Sequence, residues 1–439
     1  MRFRGPTLFR AALVLAALLA PAGARAQAVP AAAAAPDTGL QVVLVTMGQG
    51  DMVWEKFGHN ALWIYDPAAG VDQVYNYGLF DFNSPGYWSR FMKGNWLYQV
   101  GATDMGRTLW QYQYLNRSVH AQWLNLTPAQ KLEIKRFLEW NVQPENREYL
   151  YDYYRDNCST RIRDALDRAL GGQLRAAVGD SVTPTTYRSH SYRLVADDRP
   201  TYFGLAGGLG PAADRPITLW EEMFLPSKVQ EGVRRVRVRD ASGALVPLVA
   251  REQVLYAADG RAPERAEAPF RIPWYLAAGV AVAGVLALLA MRARTSGAAR
   301  FGFSAISALW LLFAGTGGVV LLSLWAFTNH AIAYRNENLL QLSPLALPLV
   351  LLLPTLAYGA RWSARWAVRL SIAVAALSVL GFVLQVLPGI DQVNGEMIAL
   401  ALPVNLALAW TARRLAGSLP ERGTEPRRAK AKRPAVSAA

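Results

Sequence analysis

The 439-residue chain has a single cysteine, so no intramolecular disulfide can staple it. It has only four histidines, His59, His120, His190 and His330, and they and Cys158 lack any recognisable zinc-site spacing. No Gly-x-Ser-x-Gly elbow, phosphate-binding glycine loop or internal repeat is present. No metal or other cofactor is therefore expected. Charge is also scarce: 18% of residues are charged against 52% hydrophobic, which is too apolar for a purely soluble chain. The net charge of +14 invites a nucleic-acid reading, but its distribution opposes one. Much of it lies between apolar runs and in a tail from Arg413 to Lys432, where membrane topology rather than nucleic acid accounts for it.

What the chain has is an uneven hydrophobicity. Met1-Arg2-Phe3-Arg4, an apolar stretch around Ala11 to Ala20 and the exit Ala24-Arg25-Ala26 follow the pattern of a signal peptide, expected over 1–26. An Ala/Pro-rich tether over 27–39 leads to a globular part. From Ile272 onward, five runs of near-spanning length are expected as transmembrane helices: 272–291, 302–327, 344–360, 370–387 and 397–412. Arg292, Arg294 and Arg300, then Arg361, Arg365 and Arg369, and finally the basic tail over 413–439 mark the cytoplasmic ends. Everything before Ile272 then faces outward, in agreement with the signal peptide. The outward loop from Thr328 to Asn338 reads either as a solvated hairpin or as a rim touching lipid headgroups beneath the soluble part.

The globular part reads as α+β, with a domain over 40–211 and a further module over 212–268. Leu40 to Met47 is a continuous apolar run, the pattern of a buried strand. Ala61 to Tyr65 and Val71 to Leu79 flank the turn Asp66-Pro67-Ala68-Ala69-Gly70 and predict a hairpin. Further strands are expected over 97–103 and 117–125. Thr127-Pro128-Ala129-Gln130 is a capping box with proline at the first helical position, opening a helix to about Asn141. A second helix starts at Asp156 or Asn157 and runs to Ala169, stopped by Gly171-Gly172. The later module should carry a helix over Leu219–Phe224 and a hairpin about Gly243.

With Asn157 as N-cap, Cys158 is the first helical residue, where the helix dipole and unpaired amides favour the thiolate. A cysteine nucleophile needs a base. His59, at the mouth of the hairpin, is the best placed of the four histidines. If Asp66 pairs with Val71, His59 faces Gly78 and lies diagonally from Asn76, close enough for the amide to orient the imidazole. Asp81 is the fallback for that third role. His120 alternates within a strand and reads as a sheet-surface residue; His190, in a polar stretch, reads as a loop residue with a possible substrate role.

Phe57-Gly58-His59-Asn60-Ala61, Tyr75-Asn76-Tyr77-Gly78-Leu79-Phe80-Asp81-Phe82 and Asp156-Asn157-Cys158-Ser159-Thr160-Arg161 together resemble the Lnb-type family, in which an exported domain precedes a membrane domain. Asp214 to Pro226 and the loop with His330, Asn336 and Asn338 resemble further blocks of that family. The order of His before Cys is also similar to circularly permuted NlpC-type papain folds. The resemblance implies an α+β permuted papain-like soluble domain followed by an all-α bundle of about five spans. It implies a thiol acyltransferase in the bacterial inner membrane, moving an acyl chain from a phospholipid through a Cys158 thioester to a lipoprotein N-terminal amine. Asn157, Arg161, His330, Asn336 and Asn338 become candidate substrate-binding residues. A cell-wall peptidase or amidase on the same scaffold, and a non-catalytic envelope scaffold with a merely buried Cys158, are the alternatives.

Overall fold

Residues Gln41–Met47 form the first strand, β1, and its apolar side chains alternate between two cores. Val42 and Leu44 enter one hydrophobic cluster, whereas Val43, Val45 and Met47 enter another on the opposite face. Both faces are covered, which is why the run reads as continuously apolar instead of alternating. The structure, a computed structural model, describes residues 39–240, 242–390 and 392–419. The expected signal peptide, the tether up to residue 38 and the basic tail from residue 420 lie outside the described residues.

Along the chain follow β2 (His59–Asp66), β3 (Val71–Leu79), α1 (Tyr87–Lys93), β4 (Leu97–Thr103), α2 (Met105–Tyr114), β5 (Val119–Leu124), α3 (Pro128–Asn141) and β6 (Glu148–Leu150). Next come α4 (Cys158–Ala169), α5 (Gln173–Val178), β7 (Val182–Thr186), α6 (Tyr187–Leu194), α7 (Arg199–Gly208), β8 (Pro216–Thr218), α8 (Leu219–Glu222) and α9 (Pro226–Arg235). β9 (Arg237–Arg239), β10 (Leu245–Pro247) and β11 (Val249–Tyr256) complete the soluble part. The main sheet has the order β11-β5-β1-β2-β3-β4-β6, and every neighbouring pair is antiparallel. One face packs against α3, α4, α5 and α9, the other against α2.

The expected turn sets the β2–β3 register: Asp66 pairs with Val71, and Ala61 comes opposite Asn76. The predicted capping box appears at Thr127 and Gln130, and α4 begins at Cys158 with Asn157 as its cap. Two expectations change. The stretch over 212–268 does not stand apart as a module, because β11 extends the main sheet along β5 and α9 joins its core. The expected hairpin about Gly243 does form, as β9 and β10. The polar stretch holding His190 is not a loop but helix α6, started by a capping box between Thr186 and Ser189.

The membrane part comprises α10 (Ile272–Arg292), α11 (Gly297–Phe327), α12 (Leu349–Ala357), α13 (Arg361–Leu384) and α14 (Gly395–Gly417). α10, α11, α13 and α14 are each long and apolar enough to cross a membrane. The span expected over 344–360 is broken and begins earlier: a segment Glu337–Ala346 meets α12 at 56°. Pro344 and Pro348 interrupt the ladder here, since proline lacks the amide that an α-helix needs. The polar loop before it is not a solvated hairpin either, for Asn336, Asn338 and Gln341 are buried. Arg361, Arg365 and Arg369, expected between spans, are the first turns of α13.

Contacts at the two ends show that this broken element still traverses the bundle. At one end Asn336 donates to the carbonyls of Gly207, Gly208 and Leu209 of the soluble part, at 2.9, 3.0 and 3.3 Å. At the other, Arg294 in the α10–α11 turn donates to the carbonyls of Leu356, Ala357 and Leu415, at 3.3, 3.2 and 2.7 Å. Between them Gln341 bonds to Ser378 of α13, and the Asn405 amide of α14 donates to the Gln341 carbonyl at 3.1 Å. Side chains thus supply partners to backbone carbonyls within this element and at its two ends, where the hydrocarbon layer offers none.

Candidate functional site

The nucleophile candidate is positioned by a turn and a cap. Asp152 Oδ1 accepts from the amides of Tyr154 and Arg155, both at 2.9 Å, and the backbones of Asp152 and Asp156 bridge to each other. This tight turn delivers Asn157 to the start of α4. Its Oδ1 accepts from the amides of Ser159 and Thr160, each at 2.9 Å. Its Nδ2 donates to the carbonyls of Tyr153 at 2.8 Å and Phe224 at 2.9 Å. Asn157 is thus fully engaged in holding the helix start, and it is 4% exposed. Its side-chain bonds position the helix, and the residue also borders the Cys158 cavity. Arg161 is similarly occupied, paired with Asp156 through two nitrogens and lying 4.2 Å over the Tyr149 ring.

The base candidate comes from β2, which packs beneath α4. His59 Nε2 lies 3.2 Å from Asn76 Oδ1. The Asn76 Nδ2 donates to the Val74 carbonyl at 3.1 Å, which fixes the amide with its oxygen toward the imidazole. An amide oxygen only accepts, so Nε2 carries the ring proton and Nδ1 is left as the basic nitrogen. The register shift in β3 between Asn76 and Leu79 falls at Gly78, whose φ of +85° is left-handed. A Cβ at that glycine would sit 3.7 Å from the Cys158 Cβ, so the bulge passes directly under the thiol.

Cys158 is partly buried on the wall of a cavity. Burial pushes its thiol up. The charge of His59 and its hydrogen bond, the Asn60 amide and the Ser159 hydroxyl together outweigh that and hold Cys158 below the ordinary thiol range. The cavity has a volume of about 520 Å³, within the ~300–1,000 Å³ usual for small-molecule sites. His59, Asn76, Gly78 and Cys158 all line it. Much of the remaining wall is aromatic, including Trp54, Phe80, Tyr98, Tyr151 and Tyr153. Burial raises Tyr151 well above its usual value, and the neighbouring Cys158 adds to the effect, so that phenol stays protonated.

These aromatic residues were not singled out from the sequence. A signal existed in the alternation Tyr149-Leu150-Tyr151-Asp152-Tyr153, which puts three rings on one side of an extended segment. The cavity wall from α2, with Thr108, Gln111 and Tyr112, was likewise missed. Its sequence signal was Asp104, whose side chain caps α2 by accepting from the Arg107 amide.

The other candidates lie elsewhere. Asp81 is exposed and accepts from the Asn83 amide at 2.8 Å, in a turn of its own. His120 sits in β5, and burial lowers its pKa. His190 is 3% exposed, with Nε2 at 3.0 Å from Glu222 and 3.1 Å from Thr185, and Nδ1 accepting from Arg193 at 3.0 Å. Enclosed in that way, it has no nitrogen left for a substrate. Asn336 and Asn338 spend their amide hydrogens on carbonyls of residues 206–209, which joins α7 to the bundle. His330 packs against Trp96, with ring centroids 5.6 Å apart. Trp96 in turn packs against Tyr151 and Tyr153, so a chain of rings links His330 to the cavity wall. Among the described residues no group of three His, Cys, Asp or Glu side chains is arranged to hold a metal ion.

Two family models match the chain. One, described as the Lnb N-terminal periplasmic domain, covers residues 29–193. The other, described as the Lnb transmembrane domain, covers residues 269–409. No curated protein and no solved structure matches.

Proposed function

Since the chain belongs to the Lnb family, with a periplasmic domain joined to a transmembrane domain, we propose that it is an envelope thiol acyltransferase acting on lipid-linked substrates. The observation that carries the reading is a cysteine at a capped helix start, its thiol lowered by His59, with Asn76 holding that imidazole. In the first step His59 Nδ1 takes the Cys158 proton, and the sulfur attacks the ester carbonyl of a phospholipid. A C–S bond forms, the C–O bond breaks, and the lysophospholipid leaves with the proton from His59. In the second step the α-amine of a lipoprotein attacks the thioester carbonyl. A C–N bond forms, the C–S bond breaks, and His59 passes the amine's proton to the departing thiolate. The cap leaves the amide of Cys158 itself untaken, a candidate donor to the oxyanion of both steps.

We read the soluble domain as a permuted NlpC-type papain-like fold, because a helix bearing the nucleophile packs on an antiparallel sheet bearing the base. We read the bundle as lying in the inner membrane with its C-terminus cytoplasmic. Arg292, Arg294 and the first turn of α13 support this, being at the end opposite the soluble domain. The joint between α7 and the bundle weighs against a cell-wall peptidase, which would need no spans. The lowered thiol weighs against an inert scaffold.

The test is a deletion complemented by the wild-type chain or by Cys158→Ala, in a strain lacking any other lipoprotein N-acyltransferase. Mass spectrometry of lipoprotein N-termini should find the added acyl chain with wild type and not with Cys158→Ala. Unacylated termini in both would remove the proposal.

A further inference from the structure

Cys158 must receive an acyl chain from a bilayer, yet it lies on a soluble domain, and a route between the two is written on that domain's surface. The loop after β3 and helix α1 carry large apolar side chains that face outward, Trp88 being 62% exposed, Met92 70% and Phe82 44%, and Trp54 from the turn between β1 and β2, 46% exposed, lies beside Phe82. Trp88 and Met92 are four residues apart on α1 and share one of its faces. Water does not favour such a patch, and a cluster of this kind marks a partner surface.

The position of α1 identifies that partner. Span α11 ends at Phe327, itself 80% exposed. Two residues later the Asn329 amide donates to the Lys93 carbonyl at 2.8 Å, at the last residue of α1, and Asn329 Nδ2 donates to Asn95 Oδ1 at 2.7 Å. Gly94, with φ of +74°, allows this approach: a Cβ there would come within 2.9 Å of the Asn329 backbone. The end of α1 is therefore pinned within two residues of the outer end of a membrane span. Tryptophan with a terminal lysine is a composition suited to the headgroup layer.

From this face the rings run inward without a gap. Trp88 stacks on Phe82 with centroids 6.1 Å apart, Phe82 meets Phe80 at 4.9 Å and Trp54 at 6.1 Å, and the last two line the cavity of Cys158. We infer that α1 and the loop before it lie in the outer-leaflet headgroup region and pass a phospholipid acyl chain along this aromatic strip to Cys158. The inference rests on the acyltransferase reading for the destination, but the immersion of α1 does not.

Two measurements on the full-length chain in phospholipid vesicles separate these parts. Cys158→Ser gives a cysteine-free chain, into which Trp88→Cys, Met92→Cys or, on the β9–β10 hairpin, Leu245→Cys is introduced and labelled with an environment-sensitive fluorophore. Nitroxide-bearing lipids should quench the labels at 88 and 92 and spare that at 245. Water-like, unquenched labels at 88 and 92 would overturn the inference, and would point to a protein partner for the patch. In the second measurement, Trp88→Glu with Met92→Glu should slow acylation of Cys158 by vesicle phospholipid about tenfold or more, since a charge is disfavoured in the bilayer. Its alkylation by a water-soluble reagent should stay unchanged. Quenching at 88 and 92 with an undiminished acylation rate would overturn the route. If wild-type Cys158 acquires no acyl chain at all, the acyltransferase reading and the route fail together, whereas quenching still decides the immersion.

Discussion

Asn157 is the residue at which a substrate role and a positioning role make opposite predictions. It is nearly sealed, and all four of its amide hydrogen bonds are made to backbone. Asn157→Ala removes a helix cap, worth about 0.5–2 kcal/mol. It also strips donors from the carbonyls of Tyr153 and Phe224, each costing about 1–3 kcal/mol where water cannot replace them. Partial hydration tempers the sum, and about 3 kcal/mol is the expected loss. For a soluble region of this size that corresponds to roughly 6–12 °C in Tm. Asn157→Asp keeps the acceptor for Ser159 and Thr160 but turns a carboxylate oxygen toward two carbonyls, and adds a negative charge beside the thiol. It should be no more stable than the alanine variant, and Cys158 should ionise at higher pH. Tryptophan fluorescence during heating reads the first effect, and the pH dependence of iodoacetamide alkylation reads the second. A variant that melts like wild type, alkylates like wild type and merely raises the KM for substrate would refute the positioning argument and support the substrate-binding role.

His59→Ala leaves burial opposed only by the Asn60 amide and the Ser159 hydroxyl, so the pH at which Cys158 becomes alkylatable should rise relative to wild type; an unmoved profile would mean that the imidazole does not face the thiol. Glu222 is buried, which raises its pKa, but hydrogen bonds from His190 and Thr185 and the Lys228 charge outweigh this and hold it down at about 2 from 4.5. A depressed carboxylate stabilises above its unfolded pKa and loses that contribution as pH falls through the folded one, so Glu222→Gln should cost about 3 kcal/mol near neutrality. The difference from wild type should vanish between pH 4.5 and 2, and melting curves that differ equally across that window would contradict the pairing. Asn336→Ala takes a donor from three carbonyls at the end of α7, of which Gly207 keeps Asn338 and Leu209 keeps Arg188 and Gln392, and should cost about 2 kcal/mol. Hydrogen exchange should then increase at residues 206–210, and unchanged protection there would show the joint to be incidental.

How far the site could be read in advance follows from the range of the interactions that build it. The β2–β3 register was legible because a short turn pins Asp66 to Val71, and from there the pleat dictates which residues lie diagonally. The start of α4 was legible because an asparagine cap and a Gly-Gly stop are local signals. These two local facts sufficed to bring His59, Asn76 and Cys158 together. The cavity wall needed more, since it takes residues from the segment after β1, from α2, from the extended chain before α4 and from Phe224. No local pattern joins those. The same holds for β11, whose partner strand β5 lies more than a hundred residues earlier.

Polarity misled where it was taken as a sign of solvent. Asn336, Asn338 and His190 stand in polar stretches, and all three are buried. A sequence shows that a side chain needs hydrogen bonds, but not whether water or a carbonyl supplies them. Within the broken third crossing that distinction has a structural consequence. Prolines 344 and 348 remove amides from the helical ladder, and the Asn405 amide, beside Ser378, donates to the Gln341 carbonyl within the broken segment. A polar side chain thus takes up backbone bonding within the irregular crossing. The segment before the break starts at Asn336 and Asn338, where α7 is held. The soluble domain is thus fastened to the bundle at its least regular crossing and, through Asn329, at the C-terminal end of α11. With the Tyr202–Glu396 and Val393–Asp214 bonds, those attachments fix where α1 and the Cys158 cavity sit relative to the bundle, which neither the soluble domain nor the spans would determine alone.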